Sequence, residues 1–426
     1  MGYTIFLHHT GTMSSIGGTR LGMCMQRYGP LVWASMLCCH RQGSNVASLM
    51  VPFNDATHQT GCRRMSAIAG QKNTETFVDL QDFTHELKVA EKIRKFRRFI
   101  GDPSMAKTFL KCLQPWDDRG NGPIILECDP GPGILTQTLL AAGARVVALE
   151  SNKDFLPSLQ LLENNMDGQL EVVHCDFFKL DPLGHGTMQP PVMYSSVLFN
   201  SLCIPEAPWI KDVPFKVFGI LPQKNESTFL WKQIYNLFER NSIYRYGRIE
   251  LNVFISEKQY TKLVSQPGDM RNYQALSALF QASCDIQLLH MEPWSSFLTP
   301  LRFKGAAIPR SVIVPNDHLC LVRITPRRDL FTDSLTRENG NTFIVMVKQC
   351  LGKRKAKLVD RLNSWDPGNG HKLLRQLALP EDIQTGNVSP EQYKQLFEIM
   401  ECSEEFNKSW IFDETLEDLQ QNAFSM

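Results

Sequence analysis

A chain of 426 residues exceeds one average domain, and with 43% hydrophobic residues it can bury a full-sized core without disulfide or metal staples. The twelve cysteines stand mostly singly, with no Cys-x-x-Cys pair, which argues against a disulfide framework and a zinc site, and no segment has the length of a membrane span. A net charge of +1 excludes only a uniform field, because segments of opposite sign cancel in the sum.

Residues 1–54 carry Arg20, Arg27 and Arg41 but no Asp or Glu, amid Ser, Thr, Gly and Met. This is the make-up of a mitochondrial leader, with an ordinary disordered tail as the alternative, and 1–85 is expected to be transit peptide and disordered leader. A charged helix is expected over 86–98, ending in Arg94, Lys95, Arg97 and Arg98, which read either as solvated surface or as an edge for nucleic acid or cofactor. Asp102-Pro103 is a start signal for a second helix through Leu113.

From Pro123 the pattern becomes βαβ. An apolar run, Ile124-Ile125-Leu126, enters a glycine turn. A helix over 134–142, a strand over 145–150, a helix over 153–165 and a third strand over 170–176 follow. Further strands are expected over 215–219, 248–255, 286–290 and 319–324, with helices over 226–240, 257–264 and 271–282. Seven strands that alternate with helices early and crowd late describe a doubly wound α/β sheet with an antiparallel edge. After Pro326 only helices are expected, over 341–351, 355–362, 371–377 and 390–400, before an acidic tail at 413–418. The organisation predicted is leader 1–85, α/β domain 86–325 and a smaller all-helical region 326–426.

The chemistry gathers where the first strands end. Gly131 and Gly133 let backbone pass close to a ligand while the helix that follows offers unpaired N–H groups. Glu150, 17 residues beyond Gly133 and at the end of the second strand, has the chemistry to accept both hydroxyls of a ribose. Asp176, at the end of the third, can accept from an adenine amino group. A structural role for these carboxylates is the alternative. The turn Gly131-Pro132-Gly133-Ile134-Leu135-Thr136 lacks the third glycine of a dinucleotide fingerprint, which favours S-adenosylmethionine over a dinucleotide.

The run 126–136, with Glu127-Cys128-Asp129-Pro130-Gly131-Pro132-Gly133, then Ala148-Leu149-Glu150 and Cys175-Asp176, resembles the rRNA adenine N6-dimethyltransferase family. The stretches His174-Cys175-Asp176-Phe177-Phe178-Lys179, His290-Met291-Glu292-Pro293-Trp294 and 410–418 resemble its mitochondrial branch, and the likeness covers about residue 90 to the end. The resemblance implies a Rossmann-like class I methyltransferase sheet. It also implies S-adenosylmethionine held by Ile100, Glu127, Gly131, Gly133, Glu150 and Asp176. Where the family carries the catalytic Asn-Leu-Pro-Tyr, this chain reads Ile220-Leu221-Pro222-Gln223. Isoleucine and glutamine cannot reproduce acceptance from the target amine or stacking on a flipped base, so no catalytic residue is intact. The family's first loop glycine is Asp129 here, and its Gln-Asn-Phe-Leu appears as Arg97-Arg98-Phe99-Ile100. Cofactor binding of a vestigial kind is expected, and efficient dimethylation is not.

Lys353, Arg354, Lys355 and Lys357 place four cations within five residues, either a solvated helix end or a phosphate-gripping patch, which Arg323, Arg327 and Arg328 would extend. By the resemblance, Lys353 and Arg354 would hold DNA. The function so implied is that of an initiation factor in the mitochondrial matrix and nucleoid, stabilising melted promoter DNA with mitochondrial RNA polymerase. The alternative is a dimethyltransferase acting on mitochondrial small-subunit rRNA. Neither a metal nor membrane insertion is expected.

Overall fold

The computed structural model describes residues 83–93, 96–114, 123–182, 188–300, 302–303, 306–307 and 318–403, with Ile411 and Thr415. The expected leader up to residue 82, Arg94, Lys95 and the acidic tail apart from Thr415 lie outside the described residues.

Helix α1 (Thr84–Lys92) is shorter than its charge pattern suggests, because Ile93 turns to φ −58° and ψ 137°. Residues 96–100 are not helical: Phe99 N donates to Leu298 O at 2.8 Å and Leu298 N donates back to Phe99 O at 2.9 Å. In this extended stretch two adjacent apolar side chains are both buried, Phe99 at 1% and Ile100 at 7% exposure, whereas neighbours about 100° apart on a surface helix rarely share its buried stripe. Helix α2 (Pro103–Leu113) starts where its signal stands, with the Asp102 carboxylate accepting from Ser104 N at 2.9 Å and Pro103 in the first turn.

Seven strands form the main sheet: β1 (Ile124–Cys128), β2 (Val146–Glu150), β3 (Leu170–His174), β4 (Phe215–Ile220), β5 (Glu250–Ser256), β6 (Cys284–Pro293) and, after a small hairpin of β7 (Arg302–Phe303) and β8 (Ala306–Ala307), β9 (His318–Pro326). Their order is β3-β2-β1-β4-β5-β9-β6, with β3 through β5 parallel and β9 antiparallel to both β5 and β6. This is the doubly wound sheet with an antiparallel edge that the sequence implied. Helices α3 (Ile134–Ala141), α4 (Leu156–Asn164), α5 (Ser195–Ser201), α6 (Glu226–Phe238), α7 (Glu257–Leu263) and α8 (Ala275–Ser283) lie between strands; α9 (Gly340–Gly352), α10 (Leu358–Trp365), α11 (Gly370–Gln376) and α12 (Pro390–Glu401) follow them.

Alternation along the strands sorts the core into two layers. Ile125, Val146, Ala148, Phe218 and Phe254 pack with α2 and α3, whereas Leu126, Leu149, Val217, Val253 and Val322 share a second cluster with α6, α8, α9 and α12. Strand registers set Cys128 beside Leu149 and Gly219, and Glu150 beside His174, so β1 to β4 end along one edge of the sheet. That edge is the place where an open α/β sheet presents a ligand crevice.

Candidate functional site

The glycine turn has the backbone its sequence requires. Gly131 and Gly133 lie in the left-handed region at φ 62° and 83°, and Gly133 caps α3. Asp129 also stands at φ 57°, so the turn keeps a left-handed residue where the family's first glycine is absent. Glu150 ends β2 fully buried, and Asp176 follows β3 at 4% exposure with its carboxylate 2.8 Å from Lys179 Nζ. Glu127 of β1 accepts a hydrogen bond from the Thr136 hydroxyl at 2.7 Å. Burial pushes its carboxyl up to about 8, with the Thr136 bond opposing and the nearby Glu150 adding. Cleft residues expected from three different strands are thus gathered at one edge, while Ile100 joins the hydrophobic cluster that contains α2 and α3.

The cleft also holds Arg97, whose cluster read in the sequence either as solvated surface or as an edge for nucleic acid or cofactor, with no partner assigned to it. Arg97 Nη1 and Nη2 donate to Glu150 Oε1 and Oε2 at 2.7 and 2.8 Å, a bidentate pair. Gly131 N and Asn152 N donate to the same carboxylate at 2.9 and 2.7 Å. A carboxylate offers about four acceptor positions, so these four donors fill it. Arg97 Nη1 is also 3.5 Å from Asp129 Oδ1, and its guanidinium lies over the rings of Phe99 and Phe155. Burial alone would lower the Arg97 pKa, but Asp129, Glu150 and Asp176 outweigh it and hold the guanidinium charged. Phe99 closes the other side: a Cβ on Gly131 would come within 2.3 Å of its ring. With Arg97 so placed, Glu150 has no acceptor left for ribose hydroxyls, and the cleft in this conformation does not fit an adenosyl group.

At the end of β4, Leu221 N donates to Phe254 O and Leu221 is buried, while Pro222 and Gln223 are exposed. Arg98 reaches this spot. Its Nη2 is 3.5 Å from Gln223 Oε1, and its guanidinium lies over Phe96 and Trp294 at 5.3 and 5.8 Å. Ile220 offers no side-chain acceptor to orient an amine, and the Gln223 amide oxygen faces Arg98 and brings no ring to stack on a base.

In the basic region, Lys353, Lys355 and Lys357 are exposed between α9 and α10. Arg354 is different: its Nη1 donates to the carbonyls of Arg271 and Tyr273, both at 3.2 Å. Arg323, expected to extend the patch, instead sits beside Glu250 at 3.4 Å and donates to Cys112 O at 2.7 Å, capping the end of α2. Arg327 pairs with Asp285 at 3.4 Å. Position in the sequence could not reveal these partners, which lie far along the chain. Among the described residues no group of three or more His, Cys, Asp or Glu is arranged to hold a metal, and no helix is long and apolar enough to cross a membrane.

Comparison with known proteins gives a consistent result. A family model described as ribosomal RNA adenine dimethylase matches residues 92–401. The chain is 43% identical over 341 residues to human "Dimethyladenosine transferase 2, mitochondrial", covering 79% of this chain and 86% of that protein. It is 46% identical over 300 residues to the mouse protein of the same name, covering 70% and 76%. A solved dimethyladenosine transferase from Plasmodium falciparum aligns with 70% of this chain and 95% of its own, at 15% identity and a TM-score of 0.47.

Proposed function

Because the chain belongs to the ribosomal RNA adenine dimethylase family, we propose that it is a mitochondrial nucleic-acid-binding protein in which this methyltransferase scaffold serves promoter opening. Members of the family take their methyl group from S-adenosylmethionine. In this chain the scaffold's glycine turn and strand-end carboxylates remain, but Ile220 and Gln223 stand where the transferring Asn and Tyr would be. The observation that carries the reading is the bidentate Arg97–Glu150 pair, which engages the carboxylate a cofactor would need.

The acting surface is then the helical region after residue 325, with Lys353, Lys355 and Lys357 exposed toward phosphates and Arg354 buttressing them. The partners proposed are mitochondrial RNA polymerase and mitochondrial promoter DNA, in the matrix nucleoid, with the protein holding opened strands by backbone contacts and stacking. Reconstituted transcription tests this. Omitting the protein should abolish initiation on duplex promoter DNA and spare a pre-melted bubble, whereas equal dependence on both templates would reject the reading.

A second reading is favoured by the left-handed turn at Gly131 and Gly133 and by the buried Asp176. It makes the protein an rRNA adenine N6-dimethyltransferase acting on small-subunit rRNA. Transfer of labelled methyl to an rRNA hairpin decides it, and no incorporation at saturating protein removes it.

A further inference from the structure

We propose that Arg97 is a built-in plug of the adenosyl cleft, a side chain of this chain occupying the ribose seat on Glu150. Adenosyl ligands then bind only when residues 96–100 withdraw.

Four observations converge on it. The guanidinium makes both of its parallel bonds to Glu150, and Gly131 N and Asn152 N take what acceptor capacity remains. Asp129 adds a second carboxylate at 3.5 Å, at a turn position where glycine would supply none. The side chains of Arg97 and Glu150 are 10% and 0% exposed, so the pair is shielded from water that would weaken it. Finally, the plug is anchored two residues on, by the paired Phe99–Leu298 backbone bonds and by the Phe99 ring, which packs on Gly131 and lies edge-on to Phe155 at 5.4 Å.

A ribose cannot share this seat. Its two hydroxyls need the acceptor positions that Arg97 fills, and displacing the guanidinium strands a buried charge unless the whole segment moves into water. The arginine also offsets the negative field of Asp129, Glu150 and Asp176, which would otherwise draw in the cationic sulfonium of S-adenosylmethionine. Nothing in the proposal depends on promoter opening; it rests on the family's cofactor and on this cleft alone. A failed transcription assay leaves it standing, and its own failure leaves that assay untouched.

The test is calorimetric titration of S-adenosylmethionine and S-adenosylhomocysteine into the full chain and into Arg97→Gln and Arg97→Lys. Arg97→Gln empties the seat, and its dissociation constant should be at least about tenfold lower than that of the unmodified chain. Arg97→Lys keeps a cation beside Glu150, so it retains the fold if the glutamine variant does not, and it should bind with intermediate strength because a lysine cannot fork. Hydrogen exchange on the unmodified chain supplies an independent readout: saturating cofactor should remove protection from the 96–100 segment. Equal affinity in all three proteins overturns the proposal, and so does cofactor binding that leaves exchange of 96–100 unchanged.

Discussion

Asp129 illustrates what a single residue keeps when its neighbours change. An L-residue in left-handed backbone is strained by roughly 1–2 kcal/mol relative to glycine, yet Asp129 holds φ 57° and uses its carboxylate to accept from Ser151 N at 3.1 Å. Gly131 has no such latitude, since a methyl there would meet both a φ of 62° and the Phe99 ring. Gly131→Ala should therefore destabilise the protein by about 2 kcal/mol or more, read as a lower urea midpoint at unchanged slope. Glu127 carries a pH signature. Its carboxyl, raised to about 8 by burial, keeps its proton in the folded protein while the unfolded chain releases it near the ordinary 4.5. Folding then takes up a proton between those values, so this group's contribution to stability falls as pH rises from about 4.5 to 8 and levels off above, by at most about 1.4 kcal/mol per pH unit. Glu127→Gln should flatten the urea midpoint against pH relative to the unmodified protein, and an unaltered difference curve would contradict the buried, protonated acid. The placement of the strand-end carboxylates and the glycines at one sheet edge could be read in the sequence because it follows from local spacing. The pairing of Arg97 with Glu150 could not, because the partners lie 53 residues apart and meet only once the sheet has formed.

Elements with a clear start signal, as in α2, or a long enough run of helical spacing, as in α6 and α12, were readable; those depending on remote partners were not. Helix α5 went unforeseen because its start is secured by Asp181, which accepts from Ser195 N and from its hydroxyl across 14 residues. The α9–α10 connection is likewise held by remote partners. Lys353 O accepts from the Thr385 hydroxyl, Arg354 O from Gly386 N, and Thr385 N donates to Ala356 O, so the loop is zipped to residues 383–387 and presents its lysines on fixed backbone. Its four cations should behave as two classes. Replacing Lys353, Lys355 or Lys357 by Ala should leave thermal stability unchanged, weaken DNA binding, and lower the slope of log affinity against log salt by about 0.7–0.9 each. Arg354→Ala should destabilise by roughly 1–3 kcal/mol through its lost bonds to two backbone carbonyls, with any loss of DNA binding secondary to that. A uniform loss of affinity at constant stability across all four would reject the division.

At the scale of the whole molecule, the succession of apolar strands and helices, crowding to strands late, announced the sheet and its antiparallel edge, whereas the change to helices after Pro326 did not say how that region is stabilised. The described residues form a single compact unit. Within it, α9 lays Phe343, Ile344, Val345, Met346 and Val347 into the same cluster that holds Val322 and Ile324 of β9, and α12 adds Tyr393, Leu396, Phe397 and Met400. Phe343 joins the helices within that cluster, its ring 5.4 Å from Phe238 of α6 and 5.3 Å from Phe397 of α12, and position 340 takes a glycine because a Cβ there would press on Phe238. At about 1.5–3 kcal/mol per buried apolar side chain, those nine residues represent on the order of 20 kcal/mol of burial. A whole domain is stable by only about 5–15 kcal/mol, so losing even half of that burial removes the margin. A chain ending at Pro326 should accordingly lack a cooperative thermal transition and bind a hydrophobic dye, while the full chain unfolds in one step by circular dichroism and by tryptophan fluorescence. If the truncated chain instead melts cooperatively near the temperature of the intact protein, the helices are a separate folding unit and the shared core adds little to the sheet's stability.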